Sequence, residues 1–154
     1  MEGAGQEPFL VCASRNFRVA LPLSSVIETL RPLPVDPVGG MPPFVLGLSV
    51  IRGEPTPVVD SGLLLSSAPI ENPSRFVTLK AGGRPVALSM DAVIGVRNLA
   101  AQALSGLPPL LKSASQEAVQ AIGVLDQALL VVLQAARVIP ESLWPGLEAG
   151  KAGP

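Results

Sequence analysis

Residues able to carry out chemistry are scarce in this chain of 154 residues. Histidine and tyrosine are both absent, which excludes Ser-His and Cys-His nucleophile pairs, imidazole metal sites and histidine phosphorylation. The twelve carboxylates form no close cluster in sequence, and Asp60, Asp91 and Asp126 each follow an apolar run where a turn is expected. Turn and cap roles fit these three residues better than catalysis, so we expect no enzymatic activity, no metal site and no cofactor.

Two further features that could indicate chemistry, a single cysteine and two glycine pairs, are better explained by structural roles. Cys12 is the one cysteine of the chain and lies within an apolar run, so it can form no internal disulfide or cysteine metal cluster and fits a small core residue. The pairs Gly39-Gly40 and Gly82-Gly83 lack the strand-to-helix setting and the Lys-Ser/Thr pair of a phosphate-binding loop.

Composition favours protein partners over other ligands. Only 15% of the residues are charged, against roughly 25% in typical soluble domains, so much of the surface must be neutral or apolar, as in proteins that bind proteins. The net charge is −1 and the basic residues are scattered, which argues against nucleic acid. The chain has no apolar run of the roughly 18 residues that a membrane helix needs, and no signal-peptide pattern. We therefore expect no membrane insertion and a cytoplasmic location.

The pattern along the chain is typical of a mostly β protein with few short helices. Short alternating runs are separated by Gly and Pro, and the 17 prolines disfavour long helices. Three pairs of runs with short connections predict hairpins, namely residues 9–14 with 17–21, 76–80 with 84–90, and 121–125 with 128–133. In the first hairpin, Asn16 is the residue able to take the positive φ of the turn.

The intervening segments are predicted as follows. Residues 24–31 are assigned to a strand, 32–43 to a loop and 44–48 to a helical turn. Gly53 then bends the chain into a strand that ends at Asp60, which is predicted to cap a short apolar helix. The run from Val93 to Leu99 is predicted to continue the sheet, and residues 112–119 to form a loop.

Several motifs, in order along the chain, resemble the CheW-like coupling proteins, the adaptors that join chemoreceptors to their histidine kinase in bacterial chemosensory arrays. The family's FV-x-G, LRG and PVVD motifs are matched, at the family's spacing, by Phe44-Val45-Leu46-Gly47, Ile51-Arg52-Gly53 and Pro57-Val58-Val59-Asp60. Weaker matches are Phe9-Leu10-Val11, Val26-Ile27-Glu28, Ser89-Met90-Asp91 with Val93 and Val96, and Ile122-Gly123-Val124-Leu125.

The resemblance implies a fold of two small SH3-like five-stranded β-barrels, intertwined in one CheW-like domain. The middle of the chain would form one barrel, and both ends would contribute to the other. We expect this domain to span residues 9–139, with a flexible N-terminus at 1–8 and a flexible tail at 140–154.

The resemblance also implies two protein partners and no catalysis. A groove between the barrels would receive the cytoplasmic tip of a methyl-accepting chemoreceptor. The edge of the first barrel would pack against the regulatory domain of a CheA-type histidine kinase. The protein would then be a cytoplasmic adaptor that is recruited to receptor arrays.

Carried over to this chain, the receptor-binding residues are Val26, Gly47, Arg52 and Gly53. Glu28 and Arg52 resemble a structural pair that locks the Arg-Gly corner, and a half-buried guanidinium there would require a carboxylate. Each of these residues could also have a role that involves no partner. Arg52 and Glu28 can instead face water, the two glycines can serve backbone geometry alone, and Val26 can belong to the core.

Departures from the family pattern leave room for other functions. Val50 stands where the family usually has a polar residue, and Pro22 and Pro55 suit edge strands, which predicts weak pairing at the kinase-binding edge. An accessory CheW-like protein of the gliding-motility (Frz) type, which binds the receptor but not the kinase, is therefore an alternative. A small ligand-binding β-barrel is a second alternative, although a chain without histidine and tyrosine has few groups with which to build its pocket.

Overall fold

The computed structural model describes residues 6–100, 104 and 118–152. Within these residues ten strands form two five-stranded sheets, and the helices are short. The strands are β1 (Gln6–Ser14), β2 (Phe17–Pro22), β3 (Val26–Leu30), β4 (Val45–Ile51), β5 (Glu54–Asp60), β6 (Arg75–Ala81), β7 (Arg84–Met90), β8 (Ala92–Ala100), β9 (Val119–Leu125) and β10 (Ala128–Leu133). The helices are α1 (Ser61–Leu65) and α2 (Trp144–Ala152).

The two sheets are intertwined along the chain. One sheet has the strand order β8-β1-β2-β10-β9 and the other has the order β3-β6-β7-β5-β4. We call the first the terminal barrel, because both ends of the chain contribute to it, and the second the central barrel. The predicted fold of two five-stranded barrels with few short helices is confirmed.

Both barrels are built on one plan. In the terminal barrel the hairpin β1–β2 joins the hairpin β9–β10 through parallel pairing of β2 with β10. In the central barrel the hairpin β6–β7 joins the hairpin β4–β5 through parallel pairing of β7 with β5. Antiparallel edge strands, β8 and β3, complete the two sheets.

Local turn chemistry accounts for the hairpins. Gly82 and Gly83 both have positive φ, 62° and 89°, and Asp126 and Gln127 have 53° and 62°. A two-residue loop with both residues in this region has the twist that antiparallel strands require. In the β1–β2 turn, the positive φ falls on Arg15 instead of the expected Asn16. Tertiary contacts hold Arg15 there, since its N–H donates to Asp91 Oδ2 at 2.6 Å and its guanidinium to the Pro69 carbonyl at 3.2 Å.

Apolar side chains form three clusters. One small cluster fills the terminal barrel around Phe9 and Leu130, and another fills the central barrel around Phe76 and Val58. The largest cluster contains residues of both sheets, including the fully buried Leu88. Alternate residues of β6 and β7 face the interior of the central barrel and this shared cluster, as period-two alternation requires. The two barrels therefore share one main core.

Two predicted elements are wrong. Residues 44–48 were expected to form a helical turn, but Val45–Ile51 is strand β4, which pairs with β5. The run from Val93 to Leu99 does form a strand, but β8 joins the terminal barrel beside β1 instead of continuing the sheet of β6 and β7. The outer side of β7 is occupied by β5, so no edge is free there for β8.

The prolines of β5 do not mark an edge. Strand β5 lies between β4 and β7, although Pro55 was expected to weaken pairing at an edge. The parallel ladder between β5 and β7 begins only at Val58, beyond Pro55 and Pro57, so it does not require the N–H that each proline lacks. Asp60, at the end of β5, caps α1 as predicted, because its Oδ1 accepts the Leu63 N–H at 3.0 Å.

The described residues near both ends of the chain lie in regular elements. Residues 6–8 belong to β1, and residues 1–5 lie outside the described part of the chain. After Pro140 the chain forms a 3₁₀ turn and then α2, in which Trp144 is 2% exposed and Leu147 is fully buried. Burial of these two apolar side chains stabilises the segment. Of the predicted loop at 112–119, residues 112–117 also lie outside the described residues.

Candidate functional site

The candidate site is centred on the exposed corner between β4 and β5. Ile51 pairs with Glu54, which leaves Arg52 and Gly53 as a two-residue loop with φ of 53° and 80°. A positive φ is uncommon for a residue other than glycine. The tight turn therefore holds the Arg52 backbone in a conformation that an isolated arginine would rarely adopt, at an exposed position.

Arg52 forms a two-pronged ion pair with Glu28. Arg52 Nε donates to Glu28 Oε2 at 2.9 Å, and Nη2 donates to Oε1 at 2.6 Å. Two parallel bonds of this kind fix the orientation of both groups. Glu28 lies on β3 and Arg52 at the tip of the β4–β5 hairpin, and β3 and β4 are the opposite edges of the central sheet. The pair therefore joins the two edges of the central barrel.

The pair is more exposed than expected. The Arg52 side chain is 79% exposed and that of Glu28 is 25% exposed, so the expectation of a half-buried guanidinium is wrong. The hydrogen bond from Arg52 lowers the pKa of the Glu28 carboxyl below its ordinary value of 4.5, partial burial opposes this shift, and the charge of Arg52 adds to it. The hydrogen bond to Glu28 likewise raises the pKa of Arg52. Both groups are ionised at neutral pH.

The other predicted receptor-binding residues have different surroundings. Gly53 has open space where a Cβ would be, whereas a Cβ on Gly47 would overlap the Asp36 carbonyl. That carbonyl accepts the Leu48 N–H at 2.9 Å, so Gly47 lets the loop before β4 lie against the strand. Val26 is half-buried and packs against the shared cluster. Gly47 and Val26 therefore have structural roles in the fold. The sequence alone could not distinguish these roles from contact with a partner.

Two apolar residues that the sequence analysis did not assign to the site are exposed and lie close in sequence to the two members of the pair. Ile27, next to Glu28, is 46% exposed, and Val50, two residues before Arg52, is 65% exposed. Val50 also lines an open groove of about 530 Å³ between β4, the preceding loop and α2. Ile27 belongs to a matched motif and Val50 is a departure from one, but neither fact reveals exposure. The exposure of Ile27 and Val50 depends on the positions of β3 and β4 at the two edges of the central sheet.

The described residues offer little for metal binding or for nucleophilic chemistry. They contain no group of three His, Cys, Asp or Glu side chains that could hold a metal ion. Cys12 is fully buried, and this burial raises the pKa of its thiol to about 12, so it is a neutral core residue at physiological pH. No helix in this part of the chain has the length and apolar character to cross a membrane.

Comparison with known proteins agrees with this architecture. The structure is similar to the crystal structure of the scaffolding protein TtCheW from Thermoanaerobacter tengcongensis, with a TM-score of 0.73, 18% sequence identity and coverage of 87% of this chain and 92% of that chain. At this identity the likeness concerns the fold. The family model of the CheW-like domain matches residues 8–142, most of the length of the chain. The chain therefore belongs to the CheW-like domain family.

Proposed function

We propose that this protein is a non-catalytic adaptor of a bacterial chemosensory system, which docks to the cytoplasmic tip of a chemoreceptor and links it to a CheA-type histidine kinase. The observation that carries the proposal is the Glu28–Arg52 pair, a fixed cation on an exposed corner. Its neighbours Ile27 and Val50 are exposed apolar side chains. Arginine beside apolar groups is the composition of energetically important contacts between proteins.

The barrels themselves argue for docking over ligand storage. Apolar side chains fill the interior of the terminal barrel, among them Phe9 and Leu130, and of the central barrel, among them Phe76. Among the described residues, this packing of the two barrel interiors argues against a ligand cavity inside either barrel. A further apolar surface is available for the kinase, since the edge strand β8 exposes Ile94 by 38% and Val96 by 55%. The adaptor would act in the cytoplasm, at receptor arrays.

The test is titration calorimetry of the protein against a receptor-tip fragment and, separately, against the kinase regulatory domain. We expect binding to both. Binding to the receptor fragment alone would replace the coupling role with that of an accessory adaptor. Absence of binding to either partner would refute the proposed function.

A charge reversal tests the site. Arg52→Glu should abolish binding of the receptor fragment and leave the circular dichroism spectrum unchanged, because the side chain is exposed and repulsion replaces the ion pair with Glu28. Arg75→Glu is the matched control, since Arg75 is also exposed and its bond within the protein is to the neighbouring Ser74 carbonyl. Survival of receptor binding in Arg52→Glu would show that the surface lies elsewhere.

A further inference from the structure

Strand β3 contains a bulge immediately before Glu28. Val26 pairs with Leu79 on β6 and Glu28 pairs with Thr78, so Ile27 is an extra residue in the ladder. In a regular strand Val26 and Leu30 would face the same side. Here Val26 packs against the cluster shared by the barrels, whereas Leu30 packs against the interior cluster of the central barrel. The extra residue thus changes the face to which the rest of β3 points.

One side chain holds this bulge. The Thr78 hydroxyl accepts a hydrogen bond from the Glu28 N–H at 3.2 Å and donates one to the Glu28 carbonyl oxygen at 3.2 Å. Thr78 is 3% exposed. A single buried hydroxyl therefore binds both backbone polar groups of the residue whose carboxylate meets Arg52.

We infer that Thr78 is a positioning residue for the docking surface, because its hydroxyl fixes the bulge backbone and thereby aims the Glu28 carboxylate at Arg52. The inference rests on the proposed function, since it assigns Thr78 a role in receptor binding without contact to the receptor. Its neighbours Val77 and Leu79 are apolar and fully buried in the shared cluster. An isosteric Thr78→Val substitution would keep the shape of the strand and remove the two hydrogen bonds between the hydroxyl and the Glu28 backbone.

The experiment compares the unmodified protein with Thr78→Val and with Thr78→Ser, which retains the hydroxyl. Nuclear magnetic resonance titration measures the pKa of the Glu28 carboxyl, and calorimetry measures affinity for the receptor-tip fragment. In Thr78→Val we expect the Glu28 pKa to rise to its ordinary value of 4.5 and the affinity to fall about tenfold, as a loss near 1.4 kcal/mol requires. Thr78→Ser should preserve both.

The outcomes separate this inference from the proposed function. A Glu28 pKa that stays low in Thr78→Val would overturn the inference, whether or not the receptor binds. A raised pKa with unchanged affinity would overturn the role of Thr78 in docking, provided that Arg52→Glu abolishes binding. If Arg52→Glu leaves binding intact, the proposed site fails, and the pKa measurement still tests the positioning of Glu28.

Amide hydrogen exchange provides a readout that needs no variant. The Glu28 N–H of the unmodified protein should exchange slowly, because it is bound to the buried Thr78 hydroxyl. Exchange of this amide at the rate of an unprotected amide would overturn the inference even if Thr78→Val failed to fold.

Discussion

At the scale of single residues, Arg52 meets two requirements at once. Its backbone occupies the left-handed region in a two-residue turn, and its side chain forms two bonds to one carboxylate. Lysine could supply the charge but not the planar pair of donors. Gly53 supplies the second left-handed position at no steric cost. The two bonds to Glu28 thus favour arginine at the first position of this turn, and the backbone geometry favours glycine at the second.

The Glu28–Arg52 pair should persist at neutral pH and break only in acid. A carboxyl pKa that is lower in the folded protein contributes stability that is present above its unfolded value of 4.5 and is lost as the pH falls through the folded value. Because the chain has no histidine, this pair should not change between about pH 5 and pH 8. Nuclear magnetic resonance titration of Glu28 checks this. In Arg52→Ala its pKa should rise, and a titration identical to that of the unmodified protein would contradict the prediction.

Replacement of Gly47 by alanine should destabilise the fold. Gly47 has a φ of 142°, and an added Cβ would lie 2.0 Å from the Asp36 carbonyl oxygen. Such strain costs about 1–3 kcal/mol of the free energy of unfolding, which urea denaturation would measure. Gly39→Ala is the control, because Gly39 has open space around its Cα and no positive φ. Equal stability of the two variants would show that the loop yields freely.

At the scale of elements, one hairpin tip in each barrel carries a charged side chain that forms an ion pair with an edge strand. In the central barrel, Arg52 at the β4–β5 tip binds Glu28 on the edge strand β3. In the terminal barrel, Asp126 at the β9–β10 tip lies 3.8 Å from Arg97 on the edge strand β8. Each barrel thus has an ion pair between a hairpin tip and the opposite edge, with the signs of the two charges reversed. Only the pair in the central barrel has hydrogen-bond distances between its partners.

Helix α2 is attached to the central barrel by aromatic and ionic contacts. The Arg84 guanidinium lies 3.9 Å from the centroid of the Trp144 ring and donates to Glu141 at 2.7 Å. Arg84 is at the start of β7, so the tip of the β6–β7 hairpin holds the start of the helix. Gly150, near the end of α2, approaches Val38 and Leu48 of the loop and β4.

Loss of the Trp144 side chain should therefore destabilise the whole protein. Trp144→Ala should lower the free energy of unfolding by about 3–5 kcal/mol, as expected for a buried aromatic residue. Arg84→Ala, which removes the contact above the ring and the exposed ion pair with Glu141, should cost less, about 0.5–1 kcal/mol. Urea denaturation followed by circular dichroism would measure both values. An unchanged midpoint for Trp144→Ala would mean that α2 does not contribute to the stable fold.

At the scale of the molecule, the shared cluster makes the two barrels interdependent. The chain passes from one barrel to the other after β2 and again after β7, and the largest apolar cluster takes side chains from both sheets. Each barrel alone has a small core, with four buried residues in its own cluster among those described. We therefore expect neither barrel to be stable on its own.

The protein should accordingly unfold in one cooperative transition. Leu88→Ala, in the shared cluster, should reduce stability by about 2–5 kcal/mol without separating the transition into two. Tryptophan fluorescence reports Trp144 on the central barrel, and thiol labelling reports Cys12 on the terminal barrel, where burial keeps the thiol neutral. Coincident denaturation curves from the two probes are expected. Separate midpoints would show that the barrels unfold independently.

Much of the local structure could be predicted from the sequence, because its causes are local. Gly82 and Gly83 determine their hairpin through their own backbone preferences, and Asp60 caps α1 across three residues. The absence of histidine excludes whole classes of chemistry without reference to any fold. The ordered motifs indicated the family, from which the paired barrels and the partnership of Glu28 with Arg52 followed as expectations.

Tertiary structure decided the features that depend on residues far apart in sequence. Residues 45–48 belong to a strand because β5 and Asp36 supply backbone partners, and β8 joins the terminal barrel because β5 already occupies the outer side of β7. Trp144 is buried because it packs into the cluster that the two barrels share. The exposure of Arg52 and the bulge held by Thr78 also arise from the meeting of separate strands. Periodicity and turn propensity describe neighbours along the chain, so they contain no information about which distant strand will supply a hydrogen bond or cover a side chain.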